Sequence, residues 1–264
     1  MSIETTRDQL VIPAPQDAIR IVPLYVADEV VAAVPEVAAP PPPVLTYRGG
    51  ALLTAVQVFT LFWGSAWQAG QAQLAGQLNA FFDFALTSPL IDQLKEYDRP
   101  PLSIGHGSRI GTATILAPRL RHSASDAAVR HMLQQEIATN PALPQPTPNT
   151  LYFVYLPPGV SVSQGGGRSC LTFCGYHDTI NGQIFYAVMP FPGCAGCLGG
   201  LSVFEALTST SSHELCEAIT DPVPGTGWSD DVHGEIGDIC AWKTKQIGAY
   251  TVQLEWSNAA SSCI

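Results

Sequence analysis

The densest apolar stretch is Ala55 to Trp63, rich in Val, Phe and Leu, which predicts a strand buried on both faces. Ahead of it, Leu45 to Gly50 reads as a short strand and turn. Between Ser65 and Ala85 the apolar residues Trp67, Leu74, Leu78, Phe81, Phe82 and Ala85 fall on one helical face, and Ser88-Pro89 opens a second short helix through Leu94. Ile104 to Leu116 reads as strand and turn. Ser125 and Asp126 cap a helix over Ala127 to Thr139 whose apolar face is Val129, Leu133 and Ile137. Strands are expected at Leu151 to Leu156 and at Gln183 to Met189, separated by a Gly-rich, Cys-containing loop. The last long helix spans Leu201 to Thr220, and Tyr250 to Trp256 is a terminal strand.

This order predicts an α/β (α+β) fold, a mixed β-sheet packed with helices in a single globular domain over residues 44–264. Residues 1–43 differ in character. Pro13, Pro15, Pro23, Pro35 and the run Pro40 to Pro43 are unsuited to a sheet or helix interior, so this stretch reads as an extended arm or propeptide-like leader.

Twelve Lys and Arg against 22 Asp and Glu give a net charge of −10, with no basic stripe, which argues against a nucleic-acid or anionic-membrane partner. No window approaches the roughly 18 apolar residues of a membrane span. Met1 to Ile12 does not read as a Sec signal peptide. The seven cysteines nevertheless point to secretion: with Cys216 set aside, Cys170, Cys174, Cys194, Cys197, Cys240 and Cys263 can form three disulfides in an oxidising compartment. The competing reading is a four-cysteine zinc knuckle from Cys170, Cys174, Cys194 and Cys197.

The chemistry concentrates in His213-Glu-Leu-Cys-Glu217, an H-E-x-x-E segment one substitution from the H-E-x-x-H zinc-peptidase motif. On a helix His213 and Glu217 project together and can hold one ion, while Leu215 and Ile219 point into the core. Ser211 and Ser212 read as capping residues directly before the motif. Glu214, about 100° round the axis from His213, lies where a carboxylate takes a proton from metal-activated water. Thr220-Asp221-Pro222 ends the helix, and the glycines of Gly234-Glu-Ile-Gly-Asp238 let the chain fold back over it. Asp238 is the expected third ligand, with Asp221, His233 and Glu235 as alternatives; Asp221 also suits a role in orienting a ligand. His233 or Tyr250 would stabilise the oxyanion. One imidazole and two carboxylates would neutralise a divalent zinc and make it a weaker Lewis acid than neutral imidazoles do; zinc is still the expected cation, with manganese and calcium left open. The implied reaction is hydrolysis of a peptide or protein substrate by metal-activated water with Glu214 as general base.

Leu45-Thr-Tyr-Arg-Gly-Gly-Ala51 with Phe62-Trp-Gly64, Ile104-Gly-His-Gly-Ser108, Leu151 to Leu156, Cys174-Gly-Tyr-His177, Cys194-Ala-Gly-Cys197, Ser212 to Pro222 and Gly234 to Cys240 together resemble the bacterial branch of the EXORDIUM or phosphate-induced protein family. The resemblance covers roughly residues 44–263. It implies a secreted protein. Plant members lack the His and Glu of the helix, so the metal site does not carry over from them; bacterial relatives read H-E-L-A-E-A, with Cys216 here in place of the alanine.

The remaining candidates are weaker. Gly105-His-Gly-Ser108 fails the G-x-S-x-G elbow and reads as a structural turn. His106, His122, His131 and His177 stand isolated and read as surface or hydrogen-bonded core histidines. The five tryptophans could line a sugar-binding face, though core is the default. Two classes follow: a metal-dependent endopeptidase with a zincin-like active-site helix, or a noncatalytic secreted module binding carbohydrate or a cell-surface partner, its metal structural or absent.

Overall fold

The computed structural model describes residues 21–26 and 40–264. Six strands form the central sheet: β1 (Ile21–Pro23), β2 (Gln57–Trp63), β3 (Ser108–Ile115), β4 (Thr150–Tyr155), β5 (Phe173–Ile180) and β6 (Ile184–Met189). Their spatial order is β1-β5-β6-β4-β2-β3. β3, β2, β4 and β6 are parallel neighbours; β5 runs antiparallel to β6, and β1 antiparallel to β5. The helices are α1 (Ala72–Ala85), α2 (Pro89–Asp92), α3 (Asp126–Thr139), α4 (Ala195–Leu198) and α5 (Val203–Thr220).

Strand alternation divides the interior into two cores. On β4, Leu151, Phe153 and Tyr155 join α1 and α5 on one face, while Tyr152 and Val154 meet Val129, Met132, Leu133 and Ile137 of α3 on the other. A mixed sheet covered by helices on both faces is thus the observed architecture. None of the described helices is long and apolar enough to cross a membrane.

Four details differ from the sequence reading. The helix expected from Ser65 is a 3₁₀ turn (Ser65–Gln68) followed by α1, which starts only at Ala72. The stretch read as a Gly-rich, Cys-containing loop holds β5, eight residues paired on both edges. Its polar His177, Asp178 and Thr179 hide the strand pattern, because the burial that accommodates them is supplied by tertiary neighbours. The terminal strand stops at Gln253: Tyr250–Gln253 (β8) pairs with Thr244–Ile247 (β7) outside the main sheet. Finally, part of the Pro-rich arm joins the sheet, since β1 forms its edge strand, where a proline is tolerated. Most of the remaining arm lies outside the described residues.

The cysteine pairing is Cys170–Cys194, Cys174–Cys197 and Cys240–Cys263, with Cys216 free and buried. The four candidate knuckle thiols are consumed in two of these bonds, which staple the start of β5 to α4. The two bonds close loops of 24 and 23 residues and so constrain the unfolded chain.

Candidate metal centre

α5 starts at a capping box: Ser202 Oγ accepts from the Glu205 N–H, and the Glu205 carboxylate accepts from the Ser202 N–H. Ser211 and Ser212, read as caps, therefore lie inside the helix. Tyr155 and Ser211 exchange a hydroxyl bond of 2.7 Å, and Ser212 Oγ donates to the Ser209 carbonyl and accepts from the Gln253 N–H. Every residue from Ala206 to Thr220 is buried, including His213, Glu214 and Glu217, each 0% exposed.

Helical spacing brings His213 and Glu217 together, with Nε2 and Oε1 2.9 Å apart, while Leu215 and Ile219 enter the core as expected. The loop folds back over them at Gly237. A Cβ there would stand 2.8 Å from His213 Cγ and Nδ1 and 3.0 Å from Glu217 Oε1, so a side chain is sterically excluded. This approach lets the Asp238 N–H donate to Glu217 Oε1 at 3.1 Å and sets Asp238 Oδ1 3.9 Å from His213 Nε2. The three expected ligands converge, with one donor atom from each mutually within 4.8 Å.

What these atoms lack is as informative as what they touch. His213 Nε2, Glu214 Oε1, Glu217 Oε2 and Asp238 Oδ1 are all buried without a hydrogen-bond partner. The His213–Glu217 contact is close but not aligned as a hydrogen bond, the relation of two donors aimed at a common third atom. Buried polar atoms are normally satisfied, and leaving one bare costs about 1–3 kcal/mol. Bare donors of these types on His213, Glu217 and Asp238 could hold a metal ion, and an imidazole among them suits zinc or manganese better than calcium.

The sequence reading missed His177. β5 carries it on the face toward α5, with Nδ1 3.0 Å from Glu214 Oε2 and 3.4 Å from Glu217 Oε2. Its Nε2 lies 3.2 Å from the Asp221 carbonyl oxygen and 3.5 Å from Glu235 Oε2. Gly175, two residues earlier on the same face, makes room: a Cβ there would sit 2.7 Å from Thr210 Cγ2 and 3.3 Å from Glu214 Oε1. The available signal was the period-2 placement of Gly175 and His177, legible only once the segment is taken as a strand.

Gln253, on β8, is the other missed neighbour. Its amide contacts His213 Nδ1 at 2.8 Å and the Gly237 carbonyl at 2.9 Å, and its Oε1 accepts from the Trp242 N–H at 3.3 Å. In that orientation Nδ1 accepts and the ring proton sits on Nε2. Ligation through Nε2 moves the proton to Nδ1 and needs the amide turned by half a revolution to present its oxygen.

Burial opposes charge throughout the cluster. It raises Glu214, and it pushes Asp238 and Glu235 well above the ordinary carboxylate range, with Glu217 repelling both. Glu217 itself is held down at about 2, because the His213 and His177 rings outweigh its burial. Burial would depress both imidazoles, yet the carboxylates around them prevail and raise both well above the usual value.

The other candidates fall into place around this cluster. The Asp221 carboxylate accepts from the N–H groups of Gly225, Thr226 and Gly227 and shapes the turn; its carbonyl, not its carboxylate, orients a candidate ligand, His177. Glu235 is fully buried with both oxygens unpartnered. His233 bonds to Asp230 at 2.9 Å and belongs to neither group of converging donors. Tyr250 packs among Phe81, Phe84 and Phe204. Trp63, Trp67, Trp228 and Trp256 are buried, leaving no stacked tryptophan face. Compared with known proteins, the chain matched no family model, no curated protein and no solved structure.

Proposed function

We propose that the protein is a metal-dependent peptidase whose cation, zinc as first choice, is held by His213, Glu217 and Asp238. The observation that carries this reading is the convergence of His213, Glu217 and Asp238, in which His213 Nε2 and Asp238 Oδ1 are buried and unpartnered, beside an equally unpartnered Glu214 Oε1. A divalent cation held there supplies Lewis acidity to a scissile carbonyl and to water. Glu214 is the general base. His177 Nδ1 lies 3.0 Å from its Oε2, leaving Oε1 to take a proton from the attacking water and return it to the departing amine. Burial raises its proton affinity, the direction a base working near neutrality needs.

The cluster is sealed, which bears on how a substrate arrives. β1 packs against β5, α5 and the helical turn Asp238–Cys240, and it is pinned by Trp242 Nε1 donating to the Pro23 carbonyl at 2.8 Å and by the Tyr25 N–H donating to the Gly196 carbonyl at 2.7 Å. In this reading the Pro-rich arm is an inhibitory leader whose removal opens the site, and three disulfides support an extracellular place of work. The same burial favours a second reading, in line with the EXORDIUM resemblance: a noncatalytic secreted module in which the cation is structural.

Cleavage of a peptide library by the zinc-loaded protein, before and after limited N-terminal processing, separates the two. Peptidase activity that falls about 10²- to 10⁴-fold in Glu214→Gln, with zinc still bound at His213, is the expected result. A zinc-loaded protein that cleaves nothing in either form overturns the peptidase reading and leaves the structural one.

A further inference from the structure

The donors around α5 form two groups, not one, and Glu217 belongs to both. His213, Glu217 and Asp238 make the first; His177, Glu214 and Glu217 make the second, each with donor atoms mutually within 4.8 Å. The two oxygens of Glu217 divide between them: Oε1 lies 2.9 Å from His213 Nε2, and Oε2 lies 3.4 Å from His177 Nδ1. Oε2 has no hydrogen-bond partner.

The His177 ring is set for ligation. Its Nε2 faces the Asp221 carbonyl at 3.2 Å, an acceptor that can only be met by a ring N–H. In the neutral ring that leaves the lone pair on Nδ1, aimed at Glu214 Oε2 and Glu217 Oε2. A lone pair facing two carboxylate oxygens in a dry interior is repulsive unless a cation or a further proton lies between them.

Charge balance favours cations. Glu214, Glu217, Glu235 and Asp238 place four carboxyl groups in a site where each is nearly or wholly buried, and when ionised they carry four negative charges. Two imidazoliums leave two of these charges uncompensated, and so does a single divalent cation between neutral rings. Two divalent cations leave none. Of the neighbouring acids, Asp221 is satisfied by three backbone N–H groups, and Glu255, buried with both oxygens unpartnered, feels His213 and Glu217 as well as the Lys245 ammonium.

We propose that the cluster is a carboxylate-bridged two-cation centre, with Glu217 as the bridge and His177 and Glu214 Oε2 completing the second position. This builds on the cation position of the proposed function and goes beyond it. The bridge sets the cations about 3.5–4 Å apart, the spacing of two-metal hydrolytic sites. Glu235, 3.5 Å from His177 Nε2, supports the ring from its far side. Glu214 Oε1 stays free for its proton.

The test is metal stoichiometry on the full chain stripped by chelator and reloaded with Mn²⁺, with the wild-type electron paramagnetic resonance spectrum as a readout that needs no variant. Expected are two Mn²⁺ per chain with an exchange-coupled spectrum, and one Mn²⁺ with an uncoupled six-line spectrum in His177→Ala. One Mn²⁺ per wild-type chain with an uncoupled spectrum overturns the bridged centre while the single-cation reading stands. No bound Mn²⁺ or Zn²⁺ overturns both. Two uncoupled ions, or two ions retained in His177→Ala, place the second cation elsewhere and also overturn the proposal.

Discussion

From Ala206 onward the two halves of α5 are both buried and both polar, yet they solve the problem of burial in opposite ways. In the first half, Thr208 Oγ1 donates to the Thr251 carbonyl at 2.7 Å, Ser211 pairs with Tyr155, and Ser212 bridges Ser209 and Gln253. These hydroxyls knit the helix to β4 and β8. In the second half, His213, Glu214 and Glu217 each keep a buried atom with no hydrogen-bond partner. Satisfied polar groups are structure; a cluster of bare ones from several elements is a receptor for something that satisfies them. The contrast lies within one helix, so differences in exposure or mobility between regions do not explain it.

The largest expected effect falls on the bare half. Glu217→Ala removes the residue common to both donor groups, and elemental analysis after reloading with zinc should find the bound metal lost. Excess zinc should raise the melting temperature of the wild type, by the equivalent of about 2.7 kcal/mol at a hundredfold excess over the dissociation constant, and leave Glu217→Ala unmoved. A variant that still binds and responds to zinc would break the comparison.

An intermediate effect is expected at the junction of the halves, where Gln253 reaches both Ser212 and His213. Gln253→Leu removes the one side chain among the described residues that hydrogen-bonds His213 Nδ1. Zinc affinity by competition titration should weaken about 10- to 100-fold, the usual consequence of losing a group that orients a metal-bound imidazole. Unchanged affinity would show that the amide contributes packing alone.

The smallest effect belongs to the satisfied half. Ser211→Ala deprives the buried Tyr155 hydroxyl of its partner and should lower stability by about 1–3 kcal/mol in denaturant melts. The stability gained on adding zinc should be the same as in the wild type. A loss of zinc response in Ser211→Ala would mean that the two halves are not separable.

Legibility in the sequence followed the same divide between local and distant. The strand over Gln57–Trp63 and the helix over Asp126–Thr139 with its Ser125 cap followed from periodicity and a capping residue, and the long helix carrying the motif was placed although its cap, Ser202, was not read. The convergence of His213 with Glu217 was equally legible, because residues four apart on a helix share a face by construction. Asp238 was found through the glycines that let its loop return, and Gly237 proved to be the point of closest approach. β5 was lost because Cys174, Gly175, His177 and Asp178 lack the apolar signature of a strand, and His177 was lost with it.

By itself, then, the sequence determined the helix, the shared face of His213 and Glu217, its core face and the presence of six pairable cysteines, since each depends on spacing within a few residues or on composition. Tertiary structure alone decided which cysteines pair and that His177 meets Glu214 from across the sheet. It alone also decided that the Asp221 carbonyl turns that ring and that β1 closes the edge beside it. Those outcomes are contacts between segments tens of residues apart, and the free energy that selects them comes from packing the whole core, to which no short window of sequence has access.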